Sequence, residues 1–233
     1  DESVEEAAAA RLSFAINQWF GKVDFSYKLD NNHTLNFGLM SQFYNINSGT
    51  YEPLHESSLV KWDQLQKDKA LESAIYIGDQ WEVTPKLSVN AGIRYSMFNL
   101  LGPRTYYTYQ DGMLPSSTTV VDSVSVGGGK VVKTYQGPEF RLSARYAFND
   151  DFSVKAGFNT MRQYIHKVSN TTIMSPTDTW KLSDTNIKPQ NGWQLAAGAY
   201  YNTPGQVLEL SVEGYYKNCL LYTSPSPRDA HES

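Results

Sequence analysis

The feature that most constrains the fold of this chain is a strict alternation of side chains over residues 87–97, LSVNAGIRYSM. The odd positions are apolar or aromatic, from Leu87 through Ile93 to Met97, whereas the even positions hold Ser, Asn, Gly and Arg. Because successive side chains of a β-strand point to opposite faces of a sheet, this pattern predicts a strand with one apolar and one polar face.

The same two-residue alternation returns along the chain, which predicts an all-β fold. Asp79 interrupts the apolar face of one segment and indicates either a position near a rim or a bulge that shifts the register. The strands come in pairs joined by short turns at 30–33, 85–86, 149–151 and 202–205. The eight predicted strands are about 12–29, 34–46, 72–84, 87–100, 139–148, 152–165, 193–201 and 207–217.

The other connections are long, at 47–71, 101–138 and 167–192. Structureless connections of this length are uncommon in compact soluble domains, whereas transmembrane β-barrels combine short periplasmic turns with long outer loops. Several predicted strands also exceed the five or six residues typical of globular sheets. We therefore predict an antiparallel, up-and-down transmembrane β-barrel segment of about eight strands, incomplete, in the outer membrane of a Gram-negative bacterium.

Composition and motifs argue against several other classes of protein. The chain has 233 residues and a net charge of −4, so it lacks the basic footprint of a nucleic-acid-binding protein. Its histidines are scattered and its single cysteine has no partner, so we expect neither a metal site nor a cofactor. Motifs such as G-x-S-x-G and H-E-x-x-H do not occur, and we predict that the chain is not an enzyme.

Both ends of the chain suggest a fragment. The opening DESVEEAAAA lacks the basic and apolar regions of a signal peptide, and residues 1–10 are expected to end a preceding outer loop, with a short helix. Residues 219–229, CLLYTSPSPRD, correspond one by one to the translation of a sequencing-library adapter; the alternative is a natural tail rich in Ser and Pro. The expected division is a partial barrel domain at 1–218 and an adapter-derived tail at 219–233.

Two groups of side chains are candidates for binding. Aromatic rings in the long loops suit sugar rings and chelates, although such rings also pack loops together or lie at a membrane interface. Charged residues in the middle of strands are predicted to face a lumen or a plug. The loop candidates are Trp62, Arg104, Tyr106, Tyr107, Tyr109 and Trp180, and the lumen- or plug-facing candidates are Arg94, Arg141, Arg145 and Lys155.

Two stretches carry a family resemblance. Residues 74–96, AIYIGDQWEVTPKLSVNAGIRYS, resemble a hairpin of TonB-dependent outer-membrane receptors. Residues 138–170, PEFRLSARYAFNDDFSVKAGFNTMRQYIHKVSN, together with SDTNIKPQNGWQLAAGAYYN and VEGYYKN, are similar to Bacteroidetes receptors that carry a carboxypeptidase-regulatory-like N-terminal domain.

This resemblance implies a barrel of about 22 strands filled by a plug domain. It implies a receptor that binds a nutrient, such as a ferric chelate or an oligosaccharide, and imports it with energy from the TonB complex. Outer-membrane lipid, the TonB complex, the nutrient and a surface lipoprotein are the expected partners. The plug and the TonB box are not recognised among these residues, which places any ligand-binding groups of the plug outside this sequence.

Two other functions remain open at the level of sequence. A passive porin-like barrel would show the same strands without a plug. A soluble β-sandwich could bind carbohydrate through the same aromatic loops. Unlike a membrane barrel, such a protein would stay in solution as a monomer without detergent.

Overall fold

The computed structural model describes residues 10–54, 61–64, 66–110, 113, 118–168, 179–203 and 208–220. The helix predicted within residues 1–10 and most of the predicted tail fall outside these ranges. None of the described residues forms a helix long and apolar enough to span a membrane. The strands are β1 (Ala10–Lys28), β2 (His33–Pro53), β3 (Asp63–Gln64), β4 (Asp68–Thr84), β5 (Leu87–Leu101), β6 (Arg104–Tyr109), β7 (Val120–Val126), β8 (Val131–Ala147), β9 (Phe152–Gln163), β10 (Ile165–Val168), β11 (Thr179–Leu182), β12 (Gln190–Asn202) and β13 (Glu209–Leu220).

The eight long strands form one antiparallel sheet in the order β1-β2-β4-β5-β8-β9-β12-β13, and the two-residue β3 pairs with β2. Each long strand is therefore paired with the next long strand in the chain. Within the described residues β1 and β13 are the two edges, so the sheet is not closed. The predicted all-β, up-and-down arrangement of eight strands is confirmed.

The long connections contain more regular structure than the sequence predicts. The strand β2 continues to Pro53, and β8 begins at Val131, well before the predicted start at 139. Two separate hairpins, β6–β7 and β10–β11, occupy parts of the second and third connections. The end of the sheet that carries these connections is called the loop end, and the opposite end the turn end.

Pro138 lies inside β8, although a proline usually marks the end of a strand. The amide of Phe140 donates to Thr160 Oγ1 at 2.8 Å, and the carbonyl of Gln136 accepts from Arg162 at 2.7 Å, so alternate residues of β8 turn their backbone groups towards β9. The nitrogen of Pro138 faces the same side, where it has no hydrogen to donate. Pairing of β8 with β9 therefore begins only at Arg141.

Asp79 lies near the turn end, two residues before Trp81. The pairing of β2 with β4 is continuous around it, and the irregularity in β4 lies further on, between Glu82 and Thr84. Its Oδ2 is 2.6 Å from Nδ1 of His33, which stacks on Trp81 with ring centroids 5.4 Å apart. Of the two interpretations of Asp79, a bulge at this residue is excluded, and the position near a rim stays a prediction.

Three short turns share one hydrogen-bonding pattern. Asp30 Oδ1 accepts from the amides of Asn32 and His33, both at 2.7 Å. Thr84 Oγ1 and Asn149 Oδ1 accept in the same way from the second and third residues that follow them. A short polar side chain that satisfies two amides explains why these turns begin with Asp, Thr and Asn.

The two faces of the sheet differ sharply. On β5 the side chains of Ile93, Tyr95 and Met97 are 42%, 43% and 39% exposed, although all three are apolar or aromatic. On the opposite face of the same strand, Ser96 and Phe98 are completely buried. The hydrophobic core is therefore small and lies at the loop end of the polar face.

Candidate functional site

The loop end of the polar face is covered by the β10–β11 hairpin and the residues that follow it. Phe98 stacks on Tyr164 with ring centroids 4.6 Å apart, and Ser96 Oγ lies 3.0 Å from the Tyr164 hydroxyl. We call this region the loop-end layer. Its buried hydrophobic residues are Tyr44, Ile46, Ala70, Phe98, Leu100, Tyr164 and Leu182.

Arg104 joins three elements in this layer. Its Nη1 is 2.5 Å from Asp68 Oδ1 at the start of β4, and its Nη2 is 2.7 Å from Asp184 Oδ2, just after β11. All three side chains are largely buried. Asp68 also accepts from the amide of Leu182 at 3.3 Å. The guanidinium therefore neutralises two buried carboxylates and holds the end of β11 against the sheet.

Asp184 organises the segment after β11 by its own side chain. Its Oδ1 accepts from the amides of Asn186 and Ile187, both at 2.8 Å, while Oδ2 pairs with Arg104. Its carbonyl accepts from the Tyr135 hydroxyl at 2.6 Å. The Ser-Asp-Thr-Asn-Ile segment is thus a compact turn, anchored to both β6 and β8.

Burial shifts the pKa values of Asp68 and His166, which both lie in the loop-end layer. The pKa of Asp68 is raised by its burial, and the nearby Arg104 opposes this effect. The pKa of His166 is lowered by burial, with Asp184 acting in the opposite direction. The Nε2 of His166 lies 2.8 Å from Ser183 Oγ. Neutral histidine is therefore the form that this packing favours.

A second polar network lies nearer the middle of the sheet. Arg94 Nη2 is 2.9 Å from Glu72 Oε1, and Arg94 Nη1 is 3.3 Å from Glu139 Oε2. The Tyr44 hydroxyl donates to Glu72 Oε2 at 2.8 Å. These residues come from β2, β4, β5 and β8, so the network links four neighbouring strands across the polar face.

The remaining predicted charges form a basic patch on the same face, towards the turn end. Arg145 and Lys155 are direct cross-strand partners in the pairing of β8 with β9. Like charges in such a pair repel each other. Arg141 lies on β8 nearer the loop end than Arg145. Together with Lys22 and Arg94, it lines a depression of about 280 Å³. This arrangement can attract carboxylates or another anionic group.

The aromatic candidates occupy different environments. Trp62 and Tyr107 are 61% and 49% exposed, the first beside β3 and the second in β6. Tyr106 and Tyr109 also belong to β6, where they pair with Val124 and Val120. Trp180, in β11, packs against the buried cluster of the loop-end layer. The structure thus brings Arg104 and Trp180 into one layer and leaves the Trp62 and Tyr107 rings accessible.

Sequence reasoning did not find Asp68, Asp184 or Tyr164, although they build the loop-end layer. Asp68 and Asp184 are far apart in the chain and carry no motif that predicts their meeting at Arg104. Tyr164 falls at the end of a strand pattern, where its parity alone does not reveal its burial. In the described residues no group of three or more His, Cys, Asp or Glu side chains is placed to hold a metal ion.

Comparison with solved structures shows the same fold. The copper transporter OprC is 14% identical, with a TM-score of 0.58, and the match covers 90% of this chain and 31% of that protein. The FrpB iron transporter from Neisseria meningitidis is 12% identical, with a TM-score of 0.56, covering 88% of this chain and 28% of that one. The ferric yersiniabactin uptake receptor FyuA from Yersinia pestis is 13% identical, with a TM-score of 0.54, covering 90% and 29%.

This chain therefore spans less than a third of the length of these solved structures. No curated protein matches it significantly in sequence. The Bacteroidetes type and the carboxypeptidase-regulatory-like domain stay predictions.

A family model described as "TonB dependent receptor-like, beta-barrel" matches residues 5–220. Proteins of this family are transporters of the Gram-negative outer membrane and not enzymes. The chain belongs to the β-barrel family of TonB-dependent receptors.

Proposed function

We propose that this chain forms part of the barrel wall of an outer-membrane receptor that binds a nutrient and imports it with energy from the TonB complex. The nutrient is a ferric chelate, an oligosaccharide or a similar molecule. OprC is a copper transporter, FyuA takes up ferric yersiniabactin and FrpB is an iron transporter, which makes a ferric chelate the first probe to test.

The observation that carries this proposal is the exposed apolar face. On β5 it runs from Leu87 to Met97, and the next position on that face is Asn99. Ten residue steps correspond to about 33 Å along a strand, or about 25 Å across a membrane at the usual tilt of barrel strands. That height matches the apolar band of outer-membrane barrels, so lipid would cover the face that the sheet leaves exposed.

The polar face would then line the barrel interior. Arg94 is already paired with Glu72 and Glu139, so it would mainly stiffen the wall. Arg141, Arg145 and Lys155 form the basic patch, and we assign them to contact with an acidic surface of the plug or with an anionic ligand. Repulsion between Arg145 and Lys155 would be relieved by such a partner.

The loop end would face the cell exterior, where the nutrient arrives. Trp62 and Tyr107 would offer exposed rings to it, with Tyr106 and Tyr109 on the same β6–β7 hairpin. Arg104 and Trp180 would support these rings without contacting the nutrient, because both residues pack within the loop-end layer.

Energised import is tested by uptake of a labelled ferric chelate in cells that express the receptor carrying this segment. We expect uptake to stop when the proton-motive force is collapsed. Uptake that continues without the proton-motive force would contradict the receptor and support a passive porin.

The membrane assignment is tested separately by phase partition of the full chain. We expect the chain to need detergent to remain dispersed. A stable monomer in buffer without detergent would contradict the assignment and support a soluble carbohydrate-binding protein.

A further inference from the structure

The strands β8 and β9 separate in their loop-end halves. Their pairing extends from the turn end only as far as Arg141 on β8. Beyond this residue β8 stays paired with β5, and β9 stays paired with β12. Because Pro138 has no amide to continue the ladder, a gap remains between the two strands.

Arg162 crosses the sheet through this gap. It has the same parity on β9 as Phe158, so its side chain starts on the apolar face. Its Nη1 donates to the carbonyl of Gln136 at 2.7 Å, and a Cβ at Gly137 would collide with the guanidinium. Gly137 has the parity of Arg141 on β8, so the guanidinium lies on the polar face. The charge is thereby kept off the apolar face, where it would be costly.

A column of cations therefore runs down the polar face of β8. The Arg162 guanidinium takes the place of a side chain at position 137, and Arg141 and Arg145 follow at equal steps of about 13 Å. Lys155 faces Arg145 from β9. The upper end of the column borders the loop-end layer, since position 137 is the cross-strand partner of Ser96. The column thus covers about 26 Å along the strand, from that layer towards the turn end.

These four cations have no carboxylate partner among the described residues. Arg162 and Arg145 donate to neutral oxygens, which belong to a backbone carbonyl and a serine hydroxyl. Arg141 and Lys155 have no hydrogen-bond partner in the described part of the chain. Glu139, the one acidic residue of β8, is already engaged by a guanidinium of the second polar network. The column is therefore an uncompensated positive charge, which attracts anions.

The wall beside Arg141 leaves room for a ligand. Gly92 is the cross-strand partner of Arg141 on β5, and Gly78 is the partner of Gly92 on β4. A Cβ at Gly78 would lie only 3.2 Å from the carbonyl oxygen of Ala91, so this part of the wall is a floor without side chains. Arg141 and Asn36 line two adjoining depressions over this floor, of about 280 and 460 Å³.

We propose that the column guides an anionic nutrient, which carries carboxylate, phosphate or sulfonate groups, along the inner wall from the loop end to the turn end. Guanidinium groups suit such oxyanions because they can donate two parallel hydrogen bonds. Successive cations lie little more than one screening length apart, so an anion held at one level is attracted by the next. This inference rests on the proposed function, and it names the charge of the nutrient and the residues that would carry it.

The test is the binding of pyrene tetrasulfonate, a fluorescent anion, to the full chain in neutral detergent micelles. Fluorescence anisotropy of the probe measures the binding. We expect saturable binding to the parent chain, which weakens as salt is added. Arg141→Gln should bind the probe about tenfold more weakly, because charge-assisted hydrogen bonds are lost. Arg141→Lys keeps the charge and should recover part of this loss.

The matched control is Lys217→Gln. Lys217 lies on the same polar face and at the same level of the register as Arg141, three strands away on β13. Both variants lose one positive charge, so an effect of net charge alone would weaken both equally. We expect Lys217→Gln to bind the probe like the parent. Equal weakening in the two variants, or no saturable binding to the parent, would overturn the column.

A second variant guards against a folding defect. Lys155→Gln removes another cation of the column, and this residue has no hydrogen-bond partner in the part of the chain that the structure describes. We expect Lys155→Gln to retain its β-structure by circular dichroism and to bind the probe several-fold more weakly. If Arg141→Gln fails to fold, parent-like binding by Lys155→Gln overturns the proposal.

The same probe separates a solute from the plug. The receptor that carries this segment should bind the probe as the chain does. Loss of binding in the receptor alone would show that the plug covers the column, and would contradict a path for an anionic solute. Uptake that depends on the proton-motive force would stand if the column failed. Uptake without that force would overturn the receptor and leave binding of the probe to the chain unaffected.

Discussion

Arg104 and Asp68 form an ion pair with 2.5 Å between Nη1 and Oδ1, and it joins the start of β6 to the start of β4. Both residues lie where long connections meet the sheet. The same guanidinium reaches Asp184, so one side chain ties two of these connections to the polar face. The loops at this end are therefore part of the packed structure.

Removal of this guanidinium should loosen the loop-end layer. We expect Arg104→Gln to lower the free energy of unfolding by about 3 kcal/mol, because Asp68 and Asp184 become buried charges without a partner. Chemical denaturation in detergent measures the loss, and amide exchange at Leu182 should rise. Lys22→Gln is the control, since its ion pair with Asp24 is exposed and should contribute little. Equal losses in the two variants would contradict this view.

The small core should depend on Phe98. This residue is completely buried and stacked on Tyr164, so Phe98→Ala should cost about 3–5 kcal/mol of unfolding free energy. Phe25, which is 52% exposed on the apolar face, offers the same substitution in a detergent-covered position. Phe25→Ala should therefore cost much less in the same denaturation experiment. A larger loss for Phe25→Ala would show that the core lies on the other face.

Charges placed on the apolar face should impair insertion. Val89→Arg or Ala197→Arg should each cost roughly 2–4 kcal/mol near the midplane of the bilayer. The folding yield in lipid vesicles measures this effect. Gln194→Arg is the matched control on the polar face of β12, and it should fold with nearly the parent yield. Parent-like yields for Val89→Arg and Ala197→Arg would refute the lipid-facing assignment.

Acid should weaken the packing of the β10–β11 hairpin. Burial lowers the pKa of His166 below its usual 6.5, so the unfolded segment binds a proton more readily than the folded one. The contribution of His166 is thus complete above pH 6.5 and is lost as the pH falls through its lowered pKa. Hydrogen exchange at Ser183, followed between pH 7 and 5, should show the change after correction for the intrinsic rate.

The control for this pH dependence is His166→Asn, which keeps a polar side chain and removes the titration. It should show a flat corrected exchange rate over the same range. A pH dependence that persists in His166→Asn would assign the effect to another group.

Alternation alone was enough to predict the eight long strands and their two faces, although it missed the short strands within the long connections. The cause is local, since the direction of each side chain in a strand follows from its position in the pleat. The turns were predictable for the same reason: Asp30, Thr84 and Asn149 satisfy amides only two and three residues away. The ends of the strands were predicted less well. The strand β8 continues through Pro138 because the proline nitrogen faces β9 and leaves the pairing with β5 intact, and the sequence does not show which strand the nitrogen faces.

The candidate site was also predictable only in part. The polar-face positions of Arg94, Arg141, Arg145 and Lys155 follow from parity, whereas their partners do not. Glu139 is the cross-strand partner of Arg94 on β8, and Glu72 reaches Arg94 from β4, so the pairing of three strands selects both carboxylates. A long side chain such as that of Arg104 can point to many places, and only the packing of the surrounding elements selects one.

The sequence by itself determined the all-β class, the order of the hairpins and the division into an apolar and a polar face, because each depends on neighbouring residues. Tertiary structure alone decided that Arg104 would join Asp68 and Asp184, and that β8 and β9 would part around Pro138. These arrangements depend on contacts between residues far apart in the chain, since Arg104 is 36 positions from Asp68 and 80 positions from Asp184. No local pattern encodes such a distance, and it is set only when the sheet and its connections pack together.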